Sequence, residues 1–187
     1  MAAGSEGTNM SNSKSDELLW RETYFILFPH TRRPTLSQVE DALIKAGGRL
    51  QLENLAADDD GLFASLLVES HEDHAAVEVS YEMGDAVIEQ NLEWAKGLQR
   101  QLPAEQLQQF MIANARFDVA HFERKSGGNS TAGILGSTDA FSFEEDYSDD
   151  DGPLDMLDPT CLLTVVDTLA TLTGGLAFDP ASGEVLS

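Results

Sequence analysis

Two short segments of this 187-residue chain gather side chains that could do chemistry. His71-Glu72-Asp73-His74 places two imidazoles and two carboxylates side by side, a donor set that a divalent metal can use. His71 and His74 are three apart, not the four of a helical zinc motif, and the cluster falls where the chain turns between two strand-like runs. A polar turn carries such residues anyway. The second segment is Pro29-His30-Thr31-Arg32-Arg33-Pro34-Thr35, which leads from an apolar run into the start of a helix. Backbone N–H groups and the helix dipole favour anions there, and two guanidiniums could clamp a phosphate or carboxylate. His30, Arg32, Arg33 and Thr35 are therefore the candidate anion-binding residues, for a small-molecule binder or a small enzyme. The plainer reading is that the arginines pair with this chain's own acids.

Two further groups carry weaker signals. Cys161 stands in the first turn of an apolar helix, where a thiol pKa can fall, although a lone cysteine in such a helix is more often a small buried hydrophobe. His121 lies on a strand with Phe117 and Val119, a setting for a packed histidine rather than a catalyst. No glycine-rich segment is followed by Lys-Ser/Thr, so no phosphate loop is present. No catalytic residue and no cofactor is expected, and the chain reads as more a binder than an enzyme.

Charge is the most unusual property. The chain holds 11 Lys+Arg against 33 Asp+Glu, a formal net charge of −22. Nucleic-acid affinity rests on Lys and Arg, so DNA and RNA are not expected partners. From Ser126 to Ser187 there are 12 acids and no basic residue. Glu144, Glu145, Asp146, Asp149, Asp150 and Asp151 form the densest run, which reads either as a solvated tether or as an electrostatic lure for a basic protein. An immunity or inhibitor protein that covers a basic partner would carry such charge. No apolar run reaches the ~18 residues of a membrane span, and the N-terminus has no secretory pattern, so the expected location is cytoplasmic.

The elements that must position these residues follow from periodicity. Met1 to Asp16 is Ser/Gly/Asn-rich and reads as a disordered tail, with a helical turn at Asp16–Trp20 as its ordered end. Thr23–Phe28 is aromatic and β-branched on both faces and reads as a central strand. Pro34-Thr35, with Gln38 three residues on, opens a helix that Gly47-Gly48 stops. Strands follow around Leu50–Glu53, Leu62–Val68 and Ala75–Glu82, the last with clean alternation. Two helices divided by Pro103 and a strand at Arg116–Phe122 come next. Residues 126–157 lose all pattern and read as an acidic irregular insert. Order resumes with a buried helix after Asp158-Pro159 and two short strands. The expected architecture is a single α+β domain over 17–187: a ferredoxin-like sandwich with a mostly antiparallel sheet and helices mainly on one face. The first strand then needs cover on its second face, from a homodimer formed through the sheet or from the helix at 158–173.

Overall fold

The computed structural model describes residues 18–47, 49–124 and 159–186. The expected N-terminal tail (1–16) and the acidic insert with its run Glu144–Asp151 lie outside the described residues. Seven strands form one antiparallel sheet: β1 (Leu18–Phe28), β2 (Gln51–Ala57), β3 (Phe63–Ser70), β4 (Ala75–Met83), β5 (Ala115–Arg124), β6 (Leu176–Asp179) and β7 (Glu184–Leu186). Their order is β2-β3-β4-β5-β1-β6-β7. Among the described residues there are four α-helices: α1 (Leu36–Ala46), α2 (Asp85–Leu98), α3 (Ala104–Ile112) and α4 (Thr160–Thr173).

The α+β class holds, but the helices do not share one face. Alternation along β1 shows why. Ile26 and Phe28 point into a core with Val39 and Leu43 of α1 and with Leu162, Val165, Val166 and Leu169 of α4. Leu27, facing the other way, joins Ala95 of α2, Phe110 of α3, Leu176 and Phe178. A strand apolar on both faces needs two covers, and two pairs of helices supply them. The one-sided covering, and the ferredoxin-like sandwich drawn from it, is corrected on this point. The chain at Leu18–Trp20 is likewise the start of β1 and not a helical turn. Leu18 and Trp20 pair with Arg124 and Phe122 across the sheet, and a bulge separates Trp20 from Glu22.

Local chemistry sets the boundaries. Thr35 Oγ1 accepts from the Gln38 N–H, and Gln38 Oε1 accepts from the Thr35 N–H, a closed capping box that starts α1. α4 ends at Gly174, whose φ of 57° is the left-handed cap that glycine adopts without strain. Gly175 then lets the chain return against β1: a Cβ there would sit 2.9 Å from Ile26 Cγ2 and 3.0 Å from the Leu27 carbonyl oxygen. At the β2 edge, pairing breaks between Glu53 and Ala56, and Asn54 has φ 50°. That irregularity interrupts the row of free backbone groups an edge strand would otherwise offer.

Candidate binding face and the predicted sites

Among the described residues, helices cover only half of the second face of the sheet. Strand register places the side chains of two rows. One runs Gln51–Glu69–Ala76–Phe122–Trp20 and the next runs Glu53–Leu67–Glu78–Ala120–Thr23. All of these face away from α1 and α4, whose core takes the alternate residues Val68, Val77 and Val79. The apolar side chains of α2 and α3 gather instead over Phe25, Leu27, Leu176 and Phe178. Leu18, Trp20, Leu67 and Phe122 belong to neither core. Leu18 is 40% exposed and Trp20 63%. A shallow cavity of about 340 Å³ lies among Leu18, Asn54, Ser65, Leu67, Glu78 and Phe122.

A polar clasp marks the border between the covered and bare halves. The Arg116 guanidinium sits 4.4 Å over the Phe25 ring. It pairs with Asp118 at 2.6 Å and Glu82 at 2.8 Å, and reaches Gln90 on α2. Burial raises the Asp118 carboxyl above its ordinary value, against the pull of Arg116. On the bare side, Glu69 is held by Arg124 at 2.6 Å. The side chains of Glu53 and Glu78 have no hydrogen bond or ion pair among the described residues, and both residues are exposed. They flank Leu67 in one row, two strand spacings or about 9–10 Å apart.

The predicted anion segment is built into the fold. His30 lies in a 3-10 turn, His30–Arg32, and accepts on Nδ1 from Asn114 Nδ2 at 2.8 Å. Arg32 donates to the carbonyl of Gly174 at the end of α4 (3.2 Å). Arg33 donates Nε to the Phe63 carbonyl (2.8 Å), pairs with Asp58 (2.8 Å), and stacks 3.9 Å over Tyr81. Hydrogen bonds from the Leu62 and Asp60 N–H groups, with Arg33 alongside, hold the Asp58 carboxyl below its ordinary value. Thr35 spends its hydroxyl on the capping box. His30, Arg32, Arg33 and Thr35 are thus each engaged with a different part of the same chain.

His71 and His74 sit in the β3–β4 turn, where His71 Nε2 donates to Gln51 Oε1 at 3.2 Å. Their neighbours are occupied: Glu72 pairs with Arg49, and Asp73 accepts from Ser70 Oγ at 2.8 Å. Among the described residues no three or more His, Cys, Asp or Glu side chains converge to hold a metal ion. Cys161 is 1% exposed, and burial, with Asp73 adding to it, pushes its thiol up to about 12. His121, 2% exposed, donates Nδ1–H to Glu22 Oε1 at 3.2 Å. None of the described helices is long and apolar enough to cross a membrane.

Sequence reading missed the bare half because its apolar members come from β1, β3 and β5, far apart in the chain. The one legible sign was Glu78 in the alternating run 75–82, facing opposite to the valines. A comparison with known proteins finds no family model, no curated protein and no solved structure that matches this chain.

Proposed function

We propose that this protein is a non-enzymatic interaction module whose bare sheet half takes a basic segment of a partner protein. The observation that carries the reading is a set of Trp20, Phe122, Leu67 and Leu18 outside both cores, with the unpaired Glu78 among them and the unpaired Glu53 at the β2 edge. Apolar side chains with one carboxylate among them and one at the β2 edge match a segment that carries both an apolar stripe and cations. An amphipathic helix with two lysines seven residues apart spans about 10 Å, the separation of Glu53 and Glu78. The net charge of −22, including the run Glu144–Asp151, adds attraction at long range.

Trp20 provides the readout. Titration with a synthetic helical peptide bearing Lys seven residues apart and Leu between them should shift its emission to the blue. The double variant Glu53→Gln/Glu78→Gln should weaken that binding, and a peptide with Glu in place of Lys should not bind. Equal binding of both peptides, or no shift at about 1 mM peptide, the weak end of specific association, defeats the proposal.

A further inference from the structure

A second exposed apolar region lies on the outer side of the α2–α3 hairpin, and it differs from the bare sheet half in carrying both signs of charge. Leu92, Ala95, Lys96 and Gln99 of the α2 side, with Leu107 and Met111 of α3, line a groove of about 260 Å³. Leu92 is 37% exposed and Met111 56%. Asn91, fully buried beneath them, donates to the Ala113 carbonyl at 3.0 Å and ties α2 to the segment that follows α3. The groove is thus held on a rigid hairpin.

Most cations of this acidic chain are engaged within it. Arg21, Arg33, Arg49, Arg116 and Arg124 pair with carboxylates, and Arg32 with a carbonyl. Among the described residues only Lys45, Lys96 and Arg100 have no such partner. Lys96 and Arg100 are neighbours on α2 and its C-terminal turn. The other end of the same exposed stripe carries Asp85 and Glu89, also unpartnered. Asp85, Glu89, Leu92, Lys96 and Gln99 are spaced four, three, four and three, the seam of an antiparallel helix pair. The stripe is acidic at Asp85 and Glu89, apolar at Leu92 and basic at Lys96, with Arg100 beside Gln99 and Glu93 beside Leu92, so Glu89 and Lys96 are complementary when the helix is reversed.

We infer that this face docks a second copy of the chain through an antiparallel, two-fold contact of α2 with α2. Leu92 then meets its own copy near the axis, with Met111 of α3 beside it. Glu89 faces Lys96 of the partner copy and Asp85 faces Arg100 of the partner copy, each pair occurring twice because a two-fold contact is isologous. Each exposed pair contributes little alone. Their value is in setting orientation, since a parallel contact would oppose like charges. The remaining acids of both copies repel, but solvent ions screen charges beyond about 8 Å at physiological salt, so the local complementary pairs decide the geometry. This surface lies apart from Glu53, Glu78 and Trp20, and its failure leaves the peptide-binding proposal standing.

Reversing charges tests the contact in the full chain by analytical ultracentrifugation. Wild type should be a dimer. Glu89→Lys and Lys96→Glu should each raise the dimer Kd at least about tenfold, because each sets two like-charge contacts across the axis. Mixed in equal amounts, the two variants should form a heterodimer, since at positions 89 and 96 one then presents two lysines and the other two glutamates. The double variant Glu89→Lys/Lys96→Glu should dimerise again. Both sites are exposed, and unchanged melting temperatures would show that folding is intact. A wild-type monomer at about 1 mM, a dimer indifferent to either reversal, or a mixture that stays monomeric overturns the inference.

Discussion

On the second sheet face, two halves with the same strand alternation meet different fates. Under α2 and α3, Phe178 packs against Trp94 and Phe110 at ring separations of 5.1 and 5.0 Å, and Phe25 against Trp94 at 5.0 Å. Further along β1, and on β5 and β3, Trp20, Phe122 and Leu67 lie outside both cores. Arg116 stands at the border, with its charge toward carboxylates and its flat face on Phe25. An aromatic cluster consolidates the domain where helices cover it. The same residue types, where no described helix covers them, stand outside both cores with Glu78 among them. The contrast is one of cover and not of composition, which makes it open to measurement.

The largest expected difference is between two phenylalanines. Phe178→Ala should cost about 3–5 kcal/mol in urea unfolding, the usual penalty for truncating a buried aromatic, whereas Phe122→Ala should cost under about 1 kcal/mol. Equal penalties would mean that the bare half is an ordinary core and would end the comparison. Next is the border. Arg116→Ala should lose about 2–3 kcal/mol, because Asp118 would be left half-buried without its cation. A smaller and pH-dependent effect sharpens the same border. The folded-state pKa of Asp118 is raised above its ordinary 3.8, so the folded state holds that proton more tightly than the unfolded chain. Its contribution to stability therefore falls as pH rises from below 3.8 through the raised value. Asp118→Asn removes that slope, and the variant should gain on wild type across this window in unfolding curves taken pH by pH. Smallest of all, Glu53→Gln/Glu78→Gln should leave stability within about ±0.5 kcal/mol while weakening binding of the lysine peptide. A substantial loss of stability in that variant would recast both carboxylates as structural.

Much of the frame was legible in the sequence because the signals are local. Aromatic and β-branched residues on both faces of Thr23–Phe28 announced a central strand, and Thr35 with Gln38 announced the start of α1. Alternation over Ala75–Glu82 fixed which face of β4 meets the core. What stayed hidden depends on partners distant in the chain. Leu18-Leu19-Trp20 follows acids and shows no period of its own; it becomes strand by pairing with Phe122–Arg124. Arg32 and Arg33 are the right residues for an anion, but spacing alone could not show Gly174, Phe63 and Asp58 arriving to occupy them. The placing of α2 and α3 opposite α1 and α4 depends on where each hairpin crosses the sheet, which periodicity does not encode.

The sealed thiol has a further use. Cys161 is the only cysteine of the chain, it is 1% exposed, and its pKa near 12 leaves almost no thiolate at neutral pH. Alkylation of the native protein must therefore wait for a local opening around the first turn of α4. When opening and reclosing are fast compared with the chemistry, the alkylation rate follows the population of that open form. A single reagent and a mass spectrometer would then yield the free energy of opening the first turn of α4, at one known position and without any introduced label.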